Sequence, residues 1–176
     1  MKNSMKFRHI TSIKNKLVDI IDNDQSIKRY CLYLTNSPLS NKAMNKDNAM
    51  IEQPDIEESL INKNIIPYMF YEEILDKYKV FIFCHKVKGD LSGVVGTNIL
   101  AISIVVPVEF NFLKELGEER TTCIADLITD LIDGIKIDNG IREVEVYGYR
   151  EWKLSRDSTF VGLTLNVQIS TSDLRC

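Results

Sequence analysis

The chain predicts an α+β fold in which an antiparallel β-sheet carries helices packed on one face. Two observations predict it. Apolar residues near the N-terminus and in one later segment recur at the three- and four-residue spacing of a helix face, whereas four other segments are rich in β-branched and aromatic residues. With 176 residues and 44% hydrophobic content, we expect one domain, comprising N-terminal helices over 1–35, a long loop or insertion over 36–64, and the sheet with its packed helix over 65–176.

Two helices are predicted at the N-terminus. Over residues 9–22 the apolar positions Ile10, Ile13, Leu17, Ile20 and Ile21 form one stripe. Asn23 and Asp24 interrupt that helix and can cap a second one, which Ser37 and Pro38 bring to an end.

Residues 36–54 contain four asparagines and two prolines without a sustained apolar period, which predicts a long surface loop. Loops of this length are usually functional or mobile, so this one is a candidate for ordering on a partner. A tolerated insertion explains the pattern equally well. One more short helix is expected over residues 55–62.

Two strands are predicted over residues 79–87 and 98–110, and KGDLSGVVGTN lies between them at 88–98. A phosphate-binding loop needs Gly-Lys-Ser/Thr before a helix, and the dinucleotide fingerprint also needs a helix to follow. Here Gly96 leads into a strand, so the segment is interpreted as the extended, mobile tip of a long hairpin. Pro107 should limit pairing at the far end of the second strand.

The clearest helix is predicted over residues 118–134, where Ile124, Leu127, Ile128, Leu131 and Ile132 form one stripe and Gly134 is the expected terminator. Strands follow over 142–152 and 160–170. The last strand alternates strictly between apolar and polar residues, which predicts one buried and one wet or half-covered face.

The composition argues against several classes of function. A net charge of −3 and a pI near 5.5 make a broad DNA-binding surface improbable. No stretch of about 18 apolar residues predicts a membrane span, so a soluble, unexported protein is expected. The four cysteines lack CxxC spacing, which predicts reduced thiols. His9 and His85 have no second ligand at a workable spacing, and Cys84 and His85 point to opposite faces of a strand, so no metal, cofactor or catalytic residue is assigned.

An alternative of another class is a metal-dependent nuclease. Glu151-Trp152-Lys153 matches an acidic-x-lysine element at a strand end, with Asp138, Glu143 and Glu145 as further carboxylates. The same residues also fit a solvated strand edge with alternating charges and no catalytic role.

The surroundings of Trp152 leave three interpretations open. Trp152 lies beside Tyr147, Tyr149 and Arg150 in a polar strand. These residues fit a base-stacking platform or a protein contact, and Trp152 also fits simple core packing.

The order of elements resembles that of the tail terminator proteins of long-tailed bacteriophages, the λ type. The matching segments are KVFIFCHKVKGD, NILAISIVVPVEF, ERTTCIADLITDLIDG and YREWKLSRDSTFVGLTLNVQIS, so the resemblance covers about residues 65–170 and the first helix. The second helix and the 36–64 segment depart from the compact family pattern.

The resemblance implies a structural virion protein and no enzyme. It implies a homohexameric ring that caps the tail tube, stops tail polymerisation and joins the tail to the head at the neck. The implied partners are tail tube proteins, sheath proteins if the tail is contractile, and head-completion or connector proteins. DNA would only pass through the channel, and no membrane is involved. The implied location is the tail–neck junction of the virion, with the host cytoplasm during assembly. A head-completion or neck connector protein is the alternative within the same assembly.

Besides the segment 36–64, two segments are predicted to form the subunit or partner interface. The first is the hairpin, represented by Lys88, Gly89, Asp90, Leu91, Gly93 and Gly96. The second is the strand end that carries Tyr149, Arg150 and Trp152. Long segments on a rigid sheet are suited to contacting neighbours.

Overall fold

The structure is a computed structural model that describes residues 2–69, 75–76, 78–89, 95–137, 141–154 and 159–172. Its helices are α1 Lys2–Asn23, α2 Gln25–Leu32, α3 Val108–Asn111 and α4 Arg120–Ile132. Its strands are β1 Lys42–Met44, β2 Met50–Glu52, β3 Ile65–Ile66, β4 Phe81–Gly89, β5 Val95–Pro107, β6 Phe112–Leu113, β7 Glu118–Glu119, β8 Ile141–Lys153 and β9 Phe160–Ser172. The mixture of helices and a largely antiparallel sheet confirms the predicted α+β class.

The main sheet has five strands in the order β3-β4-β5-β9-β8. The long hairpin β4–β5 and the C-terminal pair β8–β9 are joined because β5 pairs with β9 along its whole length, from Val95 opposite Ser172 to Pro107 opposite Phe160. These pairs are all antiparallel. The sequence did not predict β3, which adds two residues in parallel at the β4 edge.

Helices α1, α2 and α4 pack on one face of this sheet and form the main core with it. The predicted stripes are confirmed, since Ile13, Leu17, Ile124 and Ile128 are almost completely buried. Helix α4 ends as predicted, with Gly134 just beyond it at φ +74°, a conformation that favours glycine. No helix in the described part of the chain is long and apolar enough to cross a membrane.

The opposite face of the sheet carries a smaller apolar cluster. Ile66, Phe81, Phe83, Val105 and Phe160 are buried there, and Leu75 and Trp152 pack against them. The cluster lies at the end of the sheet where β5 and β9 meet through Pro107 and Phe160. The sheet is therefore apolar on both faces at this end, which explains why the β4 sequence reads as a continuous apolar run.

Segment 36–64 differs from the predicted irregular loop. It contains the small hairpin β1–β2, and the predicted helix over 55–62 is wrong, since the backbone there is not helical. Buried side chains tie the segment to α2: Arg29 donates to the carbonyls of Pro38 and Ser40 at 3.0 and 2.6 Å. Lys28 donates to the Glu58 carbonyl at 2.7 Å. Charged donors on backbone carbonyls hold in place a segment that lacks apolar periodicity.

Arg120, the first residue of α4, is completely buried. Its guanidinium donates to the carbonyls of Phe110 at 2.9 Å, Tyr30 at 2.8 Å, Tyr33 at 3.0 Å and Thr35 at 2.6 Å. The Tyr30 and Tyr33 carbonyls lie at the C-terminal end of α2, the negative end of the helix dipole. Burial lowers the pKa of Arg120 to about 10, and these four carbonyl contacts are what compensates for the lost water.

We expect Arg120→Met to lower the free energy of unfolding by more than about 3 kcal/mol, because four buried carbonyl groups lose their donor. Arg120→Lys should restore only part of this, since an ammonium cannot reproduce the planar fork of donors. Chemical denaturation followed by circular dichroism measures both values. Arg150→Met is the matched control at an exposed arginine and should change stability by less than about 0.5 kcal/mol. Equal losses in the Arg120 and Arg150 variants would contradict the role assigned to Arg120.

Cys84 predicts a specific pH dependence. Burial raises the pKa of its thiol from 9.0 to about 12, so the thiol ionises in the unfolded chain before it does so in the folded one. Its contribution to stability is complete below pH 9 and is lost as the pH rises from 9 towards 12. The stability advantage of the wild type over Cys84→Ala should therefore shrink above pH 9, by up to about 1.4 kcal/mol per pH unit. Urea denaturation at pH 8 and at pH 10 measures it; an advantage that stays constant contradicts the assignment.

Candidate assembly surface

The hairpin and the strand end with Trp152, two of the predicted interface segments, lie at opposite ends of the sheet. Gly89 of β4 pairs with Asn98 of β5, and Gly96 pairs with Thr171 of β9, all at the hairpin end. Trp152 pairs with Gly162 near the other end. The predicted interface residues therefore do not form one continuous surface.

The hairpin connection is shorter than predicted. Gly89 and Gly96 belong to strands rather than to a loop of about ten residues, and Asp90, Leu91 and Gly93 lie outside the described residues. Packing explains why residue 89 is a glycine, because a Cβ there would lie 2.5 Å from the side-chain oxygen of Asn98. Lys88 is exposed and follows an irregularity in the β4–β5 register. Gly89 thus serves strand packing, while an interface role for this end stays a prediction.

Tyr149, Arg150 and Trp152 are divided between the two faces of the sheet. Tyr149 pairs with Leu165, whose side chain belongs to the main core, so Tyr149 lies on the helix face. Its side chain is 68% exposed. Arg150 and Trp152 pair with Thr164 and Gly162 on the other face. Alternation along a strand separates residues that are neighbours in sequence, so this set cannot act as a single aromatic platform.

Trp152 is held flat across Gly162. Its indole nitrogen donates to the Thr164 hydroxyl at 2.9 Å, and that hydroxyl lies 2.9 Å from the Ser103 hydroxyl. A Cβ on Gly162 would overlap the indole ring. Of the three interpretations that the sequence left open for Trp152, packing is the one that these contacts support, since one ring face covers the glycine and the nitrogen has a partner.

Strand β8 forms one edge of the main sheet, and the described residues cover only part of that edge. Val144 exchanges backbone hydrogen bonds with residues 134–135, at 2.8 and 3.1 Å. The Val146 N–H donates to the Asp133 carboxylate at 2.8 Å. At 146–148 strand β8 contains one extra residue relative to β9. Beyond it, the residues whose backbone groups point away from β9 are therefore odd-numbered instead of even-numbered. From Tyr149 onward, the outward N–H and C=O groups are those of Tyr149, Glu151 and Lys153.

A groove of about 470 Å³ runs beside this uncovered part of β8, between the strand and α4. Leu163, Leu165, Ala125 and Val146 contribute apolar surface to it. Tyr147 and Tyr149 line it from β8, and Thr122, Asp126, Thr129 and Glu151 contribute polar groups. The groove joins an apolar lining, two exposed tyrosines and two carboxylates next to backbone groups that no described strand pairs with, and these features are suited to protein contact.

The nuclease alternative gains no support from this geometry. Glu151 and Lys153 lie on the same face of β8, opposite Leu163 and Val161. Glu145 pairs with Gln168 on the other face, and Asp138 lies outside the described residues. Within the described ranges, no three His, Cys, Asp or Glu side chains are placed to hold a metal ion.

The opposite edge of the sheet is basic and also incompletely covered. β3 pairs only with Ile82 and Phe83, which leaves the rest of β4 without a strand on that side in the described part of the chain. Lys86 is exposed there and donates to the Thr11 hydroxyl of α1 at 2.7 Å. Lys14 of α1 is close by, since burial and the charge of Lys14 lower the pKa of Lys86. Two lysines thus lie on the helix side of this edge.

Sequence reasoning missed three features of this surface, namely the covering of β8, the groove, and the division of the β8 side chains between the two faces of the sheet. The covering of β8 by residues 133–135 depends on a turn after α4, and Gly134 was predicted only as a helix terminator. The groove depends on the distance between α4 and β8, which periodicity does not give. The faces of β8 could have been predicted from the strict alternation of β9, because residues that pair across two strands lie on the same face of the sheet.

Gly162→Ala tests the packing of Trp152. The new methyl group must displace the indole ring, so we expect stability to fall by about 1–3 kcal/mol and the tryptophan emission to shift to longer wavelength. The chain has one tryptophan, which makes the emission specific. Gly148→Ala is the matched control, because a Cβ there meets no atom within 4 Å, and it should leave both values nearly unchanged. An unshifted emission in Gly162→Ala would contradict the described packing.

Comparison with known proteins gives a family and one weak structural likeness. No curated protein matches the chain. A chain in the solved structure "Virion of native gene transfer agent (GTA) particle" is similar over 52% of this chain and 69% of that chain, with 10% identity and a TM-score of 0.37. A likeness at that TM-score carries no argument about fold or function. The family model YomW matches residues 24–169, and the chain therefore belongs to the phage-associated YomW family.

Proposed function

We propose that the protein is a structural component of a phage or phage-like particle and works as a ring of identical subunits. The observation that carries the proposal is that, among the described residues, no strand pairs with the outer side of β8 at Tyr149–Lys153 or with the outer side of β4 beyond Phe83. The phage-associated family supports the setting. The chemistry of a structural role needs contact surfaces and no catalytic group.

Two different edges favour a ring over a symmetric dimer. When one surface binds a different surface of the next copy, the contact is head-to-tail, and it closes into a ring if the rotation between subunits allows it. Here the β8 edge carries Asp126, Glu151 and Lys153 on the helix side, whereas the other edge carries Lys14 and Lys86. Two copies of the lysine-bearing edge would repel one another, so the charges oppose a two-fold dimer through that edge.

Within the particle, the proposed place is the end of the tail. A ring there would cap the tail tube, stop its polymerisation and bind the neck, as the resemblance to λ-type tail terminators implies. Its partners would be tail tube proteins and neck proteins. The net charge of −3 suits a channel through which DNA passes without binding. A head-completion or connector ring would use the same edges and differ only in its partners.

The proposal predicts the solution mass. Purified protein at high concentration, alone or with tail tubes, should form rings with a mass near six times that of the 20.2 kDa chain. Light scattering after size exclusion measures the mass, and negative-stain images show the ring. Addition to polymerising tube protein should halt elongation, with rings at tube ends. Rings that bind isolated portal or neck complexes and ignore tube ends would favour the connector role. A protein that stays monomeric with and without tubes would contradict the ring.

A further inference from the structure

We infer that, before assembly, the outer side of β8 binds the same strand of a second copy in a two-fold antiparallel pair, with Glu151 of each copy opposite Lys153 of the other. The inference goes beyond the proposed function, because it concerns the protein outside the particle. A two-fold contact uses one surface twice and closes at two copies. This dimer therefore competes with the ring contact, and it must separate when the ring forms.

The end of β8 offers backbone groups for such a pair. The Val146 N–H points away from β9, towards the Asp133 carboxylate. The extra residue that follows in β8 moves this outward set to Tyr149, Glu151 and Lys153. Among the described residues, no strand pairs with the outer side of these three. Their N–H and C=O groups can therefore bond to an antiparallel strand added at this edge.

The two charged side chains lie on the helix face of the sheet. Glu151 is opposite Leu163, and Lys153 is opposite Val161. Leu163 and Val161 both pack in the main core. Residues directly opposite each other in an antiparallel pair lie on the same face. A two-fold axis perpendicular to the sheet therefore keeps the helices of both copies on one side, and the carboxylate of each copy meets the lysine of the other on that side.

Charge complementarity selects a second copy as the occupant and fixes the register. Outward residues of one strand pair with outward residues of the other, so neighbouring registers differ by two residues. A shift in one direction places Glu151 opposite itself, and a shift in the other places Lys153 opposite itself. Both shifts set like charges across the pair, which is unfavourable. In the register between them, opposite charges meet twice. Neither side chain forms an ion pair with a described residue.

The neighbouring side chains leave room for the second strand. The Trp152 indole is turned inward over Gly162, and its nitrogen donates to Thr164, so the ring does not occupy the outer side of β8. On the helix face, the groove separates the strand from α4. Tyr149, which is 68% exposed, is diagonal to Lys153 of the second copy, a distance that an aromatic side chain can reach.

The dimer gives this strand edge a defined partner. An uncovered edge can pair with strands of unrelated proteins and aggregate, and pairing with a second copy covers it while the protein is dispersed. Only a short stretch of each strand takes part, because residues 133–135 cover β8 before the extra residue. A contact of that length is weak enough to be exchanged for the ring contact.

Reversing the charges tests the pair. At concentrations below those at which rings form, the wild type should sediment with twice the mass of the 20.2 kDa chain. Glu151→Lys and Lys153→Glu should each raise the dissociation constant of the dimer about tenfold or more, because each substitution sets like charges across the pair twice. Sedimentation velocity over a concentration series measures these constants, and thermal unfolding checks that each variant is folded.

An equimolar mixture of the two single variants gives the sharpest test. In their heterodimer, both pairs are between opposite charges, so the mixture should dimerise nearly as the wild type does. The double variant Glu151→Lys/Lys153→Glu should do the same. The matched control is Glu145→Lys, which makes the same change in the same strand on the opposite face, across from Gln168, and it should leave the dissociation constant nearly unchanged.

Amide hydrogen exchange measures the backbone pairing directly. The N–H groups of Glu151 and Lys153 should exchange more slowly in the wild type than in either single variant. A wild type without a dimer overturns the inference, as do single variants that dimerise normally or a mixture that fails to recover; rings at tail tube ends in any of these cases leave the proposed function standing. A dimer that never gives way to rings, with or without tubes, supports the β8 pair and overturns the proposed function.

Discussion

The arrangement of the helices depends on one buried guanidinium. Arg120 stands at the start of α4 and donates to four carbonyl groups that come from α2, from the segment after it and from α3. Because a buried arginine is costly unless all its donors are satisfied, these four backbone groups must stay in one geometry. The N-terminal third of the chain is thereby fixed to the helix that packs across the C-terminal strands.

Charged side chains of α2 also donate to backbone carbonyls. Lys28 and Arg29 are buried and hold segment 36–64 through its carbonyls. At the end of α1, Asp22 holds the same segment by accepting from the Leu60 N–H at 2.7 Å. This helical layer leaves the two edges of the sheet with different surroundings. The β8 edge faces the acidic groove beside α4, and the β4 edge lies near the lysines of α1. The difference between the edges follows from where the helices are anchored.

The periodicity of the sequence predicts the main helices and strands but little about the segments that connect them. The strands and α4 could be predicted because burial of one face or one stripe imposes a repeat on the residues themselves. Segment 36–64 was misjudged because polar contacts distant in sequence, such as Lys28 with Glu58, impose no repeat. Nothing in the sequence around Arg120 distinguishes it from a solvated charge at a helix start. Tyr149 and Trp152 were grouped because they are close in sequence, although strand alternation divides them and only the register with Leu165 and Gly162 shows which faces they occupy.

An uncovered strand edge is a hazard for a protein that must stay dispersed before assembly, and the β8 edge carries features that limit it. The irregularity at 146–148 and the charges of Glu151 and Lys153 oppose pairing with an arbitrary strand. They do not oppose a partner strand whose charges complement Glu151 and Lys153. Selectivity of this kind is a difference between the intended and the wrong partner. A closed ring requires in addition that the contact joins two different surfaces of successive copies.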